Sequence, residues 1–381
     1  MVPNILSEIA DYLKHQDYSL VVRRMLDASL DTGSPALIRK AIQFSQQYRE
    51  AEKQHPGASM PSDFLAMAEQ LLQEAAPYYT SASPLPQELL NATGVSKTYS
   101  KGSFQLKPVS LKISSGEIMG IVGENGMGKT TLLRCLGGQL AIDGGTIQYS
   151  LLQKPDAFDI RKYIAFIPQR IPRWYGLLKD NLHFSASIAG IHGEENLLMV
   201  DYIIERLNLG AYAHLDWNQI SSGYRTRFEI ARILLQKPKL LILDEPLANL
   251  DINAQQTILT DLRFIAKSVK HSMGVILSSQ QLHEVEKIAD AVLFIKQGSC
   301  LFQTGVNQPA ITGNVIEVET TAAREQVAAI LGDEVQIQFN GGFFTISSES
   351  KSVQEMIGAL LNEGVAVTYF RDITHSTKRF F

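Results

Sequence analysis

Apolar residues recur at three- and four-residue steps along the N-terminal part of the chain, as in Ile5 and Ile9. That spacing places apolar side chains on one face of a helix. Ser34 followed by Pro35 is a favoured helix start, because serine caps free N–H groups and proline is tolerated in the first turn. The pattern predicts about four short helices, forming an all-α domain over residues 1–80.

Two later blocks show different patterns. Proline, serine and threonine mark residues 77–87 as a linker. Residues 88–304 alternate short apolar runs with helical periodicity, which predicts an α/β domain. Residues 312–381 show the order β-α-β-β-α-β, with Gly341–Gly342 in a hairpin turn, which predicts a small ferredoxin-like α+β domain. We expect this last domain to serve regulation or dimer support.

Composition narrows the class of protein. The chain has 381 residues, of which 45% are hydrophobic and 19% charged, so two or three globular domains are expected. Its net charge of −4 indicates no basic field for nucleic acid, and no nucleic-acid partner is expected. No apolar run is long enough to span a bilayer, and the N-terminus lacks a signal-peptide pattern. Cys135 and Cys300 suggest no disulfide framework, which fits a reducing cytoplasm.

The run from Gly123 to Thr130 fits the phosphate-binding pattern G-x-x-x-x-G-K-[ST]. A short apolar strand precedes it and a helical pattern follows, as this motif requires. Glycines allow backbone N–H groups to converge on phosphate oxygens, and the helix presents its positive end to the same anion. We expect Lys129 to reach the β and γ phosphates and the Thr130 hydroxyl to bind Mg²⁺.

A second motif joins an apolar run, Leu240–Leu243, to the carboxylates Asp244 and Glu245. In a parallel sheet this run is a central strand, and ligands lie at its carboxyl end. Asp244 would hold Mg²⁺ through water and Glu245 would polarise an attacking water. Alone, the pattern also fits a strand that ends in a polar turn.

Between these motifs lies Ile220-Ser221-Ser222-Gly223-Tyr224. With it, the middle block resembles the nucleotide-binding domain of ABC ATPases, whose signature is Leu-Ser-Gly-Gly-Gln. Ser221 and Gly223 match that signature, and Ser222 and Tyr224 depart from it. The resemblance implies a P-loop fold with a helical subdomain. It also implies a head-to-tail homodimer in which each signature closes on the γ-phosphate held by the opposite subunit.

The resemblance also assigns roles to single residues. It implies that Gln169 senses Mg²⁺ and the attacking water, that Asp251 crosses the dimer interface, and that Tyr99 stacks on adenine. Without it, Asp251 is as well explained as a helix cap and Tyr99 as a surface or core residue. The nucleotide-binding set is Tyr99, Gly123, Asn125, Gly126, Gly128, Lys129, Thr130, Thr131, Ser221, Gly223 and Asp251. The metal set is Thr130, Gln169 and Asp244, and the catalytic set is Glu245, Gln280 and Gln169. The cofactors implied are ATP and Mg²⁺.

Gln280 is a departure from the family. A histidine that contacts the γ-phosphate usually follows the apolar strand, and here Gln280 stands in its place, with His283 three residues further on. An amide donates a hydrogen bond but carries no titratable positive charge. Loss of one such contact costs about ten- to a thousandfold in turnover, so slow ATP hydrolysis is expected.

The resemblance predicts the ATP-hydrolysing subunit of an ABC transporter, bound to a separate permease at the inner face of the membrane. Leu177–Ile191 and the tail 372–381 resemble exporter-type members. Trp174 and Tyr175 are either docking anchors for the permease or packing residues of the helical subdomain. The alternative is a soluble mechanochemical ABC ATPase acting on a ribosome, nucleic acid or protein complex. In a third hypothesis the flanking domains act and the nucleotide is a switch.

Overall fold

The computed structural model describes residues 5–56, 60–79, 86–99, 104–153, 155–268, 270–303, 313–332, 334–340 and 342–374. The helices are α1 (Ile5–Lys14), α2 (Tyr18–Thr32), α3 (Pro35–Gln54), α4 (Ser62–Ala75), α5 (Lys129–Leu136), α6 (Ala157–Tyr163), α7 (Leu178–Ile188), α8 (Gly193–Arg206), α9 (Ser222–Leu234), α10 (Ile252–Ala266), α11 (Leu282–Val285), α12 (Arg324–Leu331) and α13 (Val353–Asn362). The strands are β1 (Glu88–Thr98), β2 (Gln105–Ser114), β3 (Ile118–Val122), β4 (Gly144–Tyr149), β5 (Ile164–Ile167), β6 (Leu240–Leu243), β7 (Gly274–Ser279), β8 (Ala291–Lys296), β9 (Ser299–Gln303), β10 (Asn314–Thr320), β11 (Val335–Asn340), β12 (Phe343–Ser348) and β13 (Val367–Asp372).

The N-terminal block folds into the helices α1 to α4, as its periodicity predicts. The Ser34 hydroxyl accepts from the Leu37 N–H at 3.4 Å, and Pro35 occupies the first turn of α3. These helices do not close a core of their own. Buried Phe44 belongs to the same continuous apolar cluster as Ile203 of α8 and Leu262 of α10. The N-terminal helices and the rest of this cluster therefore share one core.

The central sheet has the strand order β5-β6-β7-β3-β8-β9, parallel except for the β8–β9 pair. Every residue of β3 and β6 is buried, which explains their unbroken apolar sequences. The carboxyl ends of β3, β5, β6 and β7 meet at one edge of the sheet, where ligands bind in such folds.

An antiparallel sheet of order β2-β1-β4 covers the phosphate-loop helix α5. The helices α7 and α8 follow β5 and precede the signature helix α9. They form the helical subdomain that the resemblance implies at this point in the chain. The strands and helices of this α/β cassette thus surround the edge that holds the predicted site.

The C-terminal block has the predicted β-α-β-β-α-β order. Its antiparallel sheet has the order β11-β12-β10-β13, and its apolar cluster contains only residues of this block, among them Ile316, Ile346 and Leu360. Part of the hairpin at Gly341–Gly342 lies outside the described residues.

Two other sequence predictions fall partly outside the described chain. In the predicted linker, Ala76–Tyr79 form a 3₁₀ turn and residues 80–85 are not described. The tail is described as far as residue 374. Among the described helices, none combines the length and apolar character needed to cross a bilayer.

Candidate nucleotide-binding site

The phosphate loop connects β3 to α5, and its backbone geometry requires glycine at particular positions. Gly126 and Gly128 adopt φ values of 77° and 108°, a region that side chains disfavour. At Gly123, a Cβ atom would lie 2.3 Å from the Ile295 carbonyl oxygen. The loop therefore needs glycine both for its curl and for its close contact with β8.

Lys129 is the first residue of α5 and is 4% exposed. Its Nζ donates to the carbonyl oxygens of Gly123 at 2.7 Å and Glu124 at 3.1 Å. The same atom lies 3.0 Å from Glu245 Oε1. The ammonium is thus held across the loop and paired with the predicted catalytic carboxylate, at a helix N-terminus that favours anions.

Asp244 follows β6 and is 4% exposed. Its Oδ2 accepts from Thr130 Oγ1 at 2.8 Å, and its Oδ1 accepts from Ser278 Oγ at 2.8 Å. A hydroxyl and a carboxylate are hard oxygen ligands, and Mg²⁺ typically binds one or two such protein groups, substrate phosphates and water. The donor set therefore fits Mg²⁺ beside the phosphate loop.

Glu245 has φ of 48°, an uncommon backbone conformation for this residue type that persists only when surroundings hold it. Its N–H donates to Ser278 Oγ at 2.8 Å. Its Oε2 accepts from Gln169 Nε2 at 2.9 Å and from Gln280 Nε2 at 3.0 Å. Residues that follow three parallel strands therefore converge on one buried carboxylate.

A cavity of 350 Å³ lies over the loop. It is lined by Phe104, Asn125, Gly126, Gly128, Lys129, Thr130, Thr131, Gln169 and Glu245. Phe104 was not predicted from the sequence. Its position as an aromatic residue shortly after Tyr99 was only a weak signal. Ser278 was not predicted either, although a serine pair at the end of an apolar strand marks the same edge.

Tyr99 lies beside this cavity, with its hydroxyl 3.4 Å from Thr131 Oγ1 and its ring centre 6.4 Å from that of Phe104. Its side chain is 37% exposed. An exposed aromatic face next to the loop is suited to stacking on a base.

Ser221, Gly223 and Asp251 do not line the loop cavity within the described chain. Ser221 is the N-cap residue of α9, and Asp251 Oδ1 accepts from the Ala254 N–H at 2.9 Å as the cap of α10. A Cβ at Gly223 would lie 3.3 Å from Ala254 Cβ, so the two helix starts adjoin. Within one chain, the phosphate-loop residues of the predicted site lie together, whereas Ser221, Gly223 and Asp251 lie outside that cavity.

Trp174 and Tyr175 have opposite environments. Trp174 is 8% exposed, stacks on Trp217 at 5.2 Å and donates from Nε1 to Glu229 Oε2 at 3.2 Å. Tyr175 is 78% exposed. Of the two alternatives for this pair, packing holds for Trp174, and only Tyr175 is available as a surface anchor.

Comparison with known proteins connects this geometry to a family. The family model described as ABC transporter matches residues 106–248. An ABC transporter ATP-binding protein of Bacillus subtilis (strain 168), YdbJ, is 27% identical over 78% of this chain and 95% of its own length. NatA of the same organism, also named an ABC transporter ATP-binding protein, is 30% identical over 52% of this chain and 80% of its own length.

Among solved structures, cbiO1 of Clostridium perfringens, described as part of an ABC transporter complex, is similar to this chain. The TM-score is 0.52 at 27% identity, covering 57% of this chain and 88% of that one. The matched family region contains the phosphate loop, Gln169, the signature and the Asp244–Glu245 pair. With the phosphate loop, Gln169 and the Asp244–Glu245 pair at one sheet edge, the chain belongs to the ABC transporter ATP-binding proteins.

Proposed function

We propose that this chain hydrolyses ATP at two sites of a homodimer and thereby drives a separate membrane permease. The observation that carries the hydrolytic role is the convergence of Gln169, Gln280 and Lys129 on the buried carboxylate of Glu245. A general base needs a fixed orientation toward the proton that it abstracts, and these contacts fix the Glu245 carboxylate beside the loop cavity.

The side chains divide the work as follows. In this structure Lys129 pairs with Glu245. When a nucleotide binds, Lys129 would contact its phosphates, and Glu245 would then be released to accept a proton from water. Thr130 and Asp244 would hold Mg²⁺, which when bound neutralises phosphate charge. Gln169 and Gln280 donate to the same oxygen of Glu245, leaving Oε1 as the proton acceptor. Because Gln280 is neutral, it orients the base without adding positive charge, and turnover is slow.

Turnover of Mg-ATP by the purified chain, with permease where needed, tests this assignment. Glu245→Gln should lower the rate by about a hundredfold or more, while ATP binding is kept. Lys129→Ala should weaken ATP binding itself. Gln280→His should raise the rate, because it restores a titratable donor. An unchanged rate in Glu245→Gln would exclude Glu245 as the base.

The homodimer is supported by what the single chain lacks. Ser221, Gly223 and Asp251 match the family signature and interface loop, and they lie outside the loop cavity of their own chain. Ser221→Arg should leave ATP binding intact and prevent ATP-dependent dimerisation, measured by light scattering with Glu245→Gln as background. Dimerisation of Ser221→Arg at the parental ATP concentration would contradict the composite site.

Permease docking is supported by an exposed apolar patch on the helical subdomain. We define the docking patch as Tyr175, Leu177, Phe184 and Ile188, which are 78%, 43%, 67% and 69% exposed. Asn181 Nδ2 donates to the carbonyl oxygens of Tyr175 and Leu177, both at 2.8 Å, and so fixes the loop on α7. An apolar patch held by a rigid helix is typical of an interaction site.

Co-purification from membranes tests the docking patch. Phe184→Ser should reduce the amount of permease recovered with the chain and leave ATP binding unchanged, with Leu361→Ser on the C-terminal block as the matched exposed control. Recovery with ribosomes or nucleic acid instead would favour the alternative of a soluble mechanochemical ATPase. The exporter-like character of Leu177–Ile191 stays a prediction that the permease identity will decide.

We assign the chain to three units: residues 1–80, 88–304 and 312–381. The strand order of the last unit supports its ferredoxin-like assignment, because β10 lies between β12 and β13 with every neighbour antiparallel. Limited proteolysis should release the C-terminal unit as an intact fragment. No such fragment should arise at the N-terminal junction, where the core is shared.

A further inference from the structure

A cavity of 390 Å³ lies between the N-terminal helices and the cassette. Small-molecule sites span roughly 300–1,000 Å³ and favour junctions between domains. Its walls come from α2, α3, α8 and α10 and from the connections that follow α9 and α10. Because Lys239 lines it and β6 begins at Leu240, the cavity lies at the amino ends of the parallel strands, opposite the phosphate loop.

The floor of this cavity is apolar and contributed by both sides of the junction. Leu30 and Ile38 come from the N-terminal helices, and Leu198, Met199 and Phe264 from the cassette. Ile38, Leu198 and Phe264 are 4%, 8% and 9% exposed. A hydrocarbon or aryl group entering here would be removed from water, which is favourable.

Tyr202 is a polar group on this lining, and it is 3% exposed. No hydrogen bond to its hydroxyl is found within the described chain, and that oxygen is not among the fully enclosed polar atoms that lack a partner. The hydroxyl is therefore open to the cavity, where it can donate to a ligand. Neighbouring Arg206 does not need a ligand, because Asp27 and Asp261 already pair with it.

The mouth of the cavity is positively charged. Lys237 and Lys239 line it and are exposed. Burial lowers the pKa of His271, also on the lining; Asp31 opposes this, and Lys237, Lys239 and Lys270 lower it further. The exposed carboxylate on the lining is Glu195, so cations outnumber anions here.

We infer that this cavity binds an amphipathic carboxylate, whose apolar body fills the floor while its carboxylate accepts from Tyr202 and lies in the field of Lys237 and Lys239. The inference goes beyond the proposed ATPase function and does not depend on it. Because the floor belongs to both the N-terminal helices and the cassette, an occupant stabilises their contact by mass action.

Calorimetric titration of the full-length chain with decanoate tests this inference. Decanoate should bind once per chain and more tightly than decanol or decyltrimethylammonium, which share its chain length. Tyr202→Phe should weaken binding about tenfold, since it removes a hydrogen bond to a charged group. Lys237→Gln with Lys239→Gln should weaken it about fivefold, and Lys179→Gln, outside the cavity, should not.

A variant that fills the cavity provides a second test of the inference. Met199→Trp, at a partly exposed lining position, should abolish decanoate binding while ATP binding is kept. The inference is overturned if decanoate does not bind, if the cationic probe binds as tightly, or if Met199→Trp and Tyr202→Phe both bind like the parent chain. Such results would mean non-specific adsorption to apolar surface.

Discussion

The two units that flank the cassette are attached to it in different ways. The N-terminal helices lie in the same apolar cluster as α8 and α10, whereas the C-terminal unit has a cluster of its own. An ion pair with 3.9 Å separation, Arg371 to Glu286, joins the C-terminal unit to α11. The difference teaches that an added segment can be part of a cassette's core or can be attached to its surface.

Buried charge deepens this contrast. Arg206 of α8 is 2% exposed, pairs with Asp27 of α2, and donates to Asp261 of α10 at 2.9 Å. Burial opposes its charge, but Asp27 and Asp261 together raise the pKa of Arg206 above its usual value. One guanidinium thus connects an N-terminal helix, the helical subdomain and the core. In the attachment at Arg371, by contrast, the Arg371 and Glu286 side chains are 38% and 17% exposed.

The largest expected effect comes from removing each unit in turn. Deletion of residues 1–79 should expose the shared core and abolish soluble, cooperative folding of the cassette. Deletion of residues 313–381 should leave the thermal unfolding midpoint of the cassette within about 4 °C of its parent. Differential scanning calorimetry of both deletions measures this. A soluble cassette with an unchanged midpoint after the first deletion would remove the contrast.

The next effect is that of the buried guanidinium. Arg206→Ala removes the guanidinium that Asp27 and Asp261 share, although Asp27 keeps Arg24 and Asp261 keeps Arg23 and Arg227 nearby, and should lower the free energy of unfolding by about 3 kcal/mol. Arg23→Ala is the matched control, because Arg23 lies 3.4 Å from Asp261 but is 21% exposed, and should cost less than about 1 kcal/mol. Urea titration followed by circular dichroism compares them. Equal losses of unfolding free energy in the two variants would mean that the buried pairs of Arg206 do not hold the N-terminal helices to the cassette.

A pH-dependent effect lies at the same junction. Burial raises the pKa of Asp31, although hydrogen bonds from Ser268 and Tyr79 oppose the shift. The folded state therefore binds the proton of Asp31 more tightly than the unfolded state does. Protonated Asp31 contributes to stability at low pH, and this contribution is lost as the pH rises from the ordinary pKa of 3.8 through the raised pKa of the folded state. Asp31→Asn should become progressively more stable than the parent over that window, since either hydroxyl can turn to donate or accept. Exposed Asp180→Asn is the control, and parallel curves for Asp31→Asn and parent would contradict the shift.

The smallest effect is expected at the C-terminal attachment. Arg371→Ala removes a long, partly exposed ion pair and should change the free energy of unfolding by less than about 0.5 kcal/mol. Chemical denaturation of the full chain measures it. A loss comparable to that of Arg206→Ala would show that the C-terminal unit is also integral to the cassette.

Local patterns predicted elements and motifs well. The helical steps near Ile5, the cap at Ser34 and the apolar run before Asp244 each correspond to an element of the structure. These signals lie within a few residues of each other, so periodicity and turn chemistry are enough to read them. Contacts such as the hydrogen bond from Ser278 to Asp244 could not be predicted from local patterns, because the two residues are far apart in the chain.

The sequence alone determined the phosphate loop, its Lys129 and Thr130, and the order of motifs that identifies the family, because backbone curl and helix polarity are local properties. Tertiary structure alone decided that Glu245 is held by Gln169 and Gln280, that Trp174 is buried beside exposed Tyr175, and that the N-terminal helices complete the core of the cassette. The physical reason is that burial and charge pairing depend on which distant segments pack together, and residue spacing along the chain does not encode that directly.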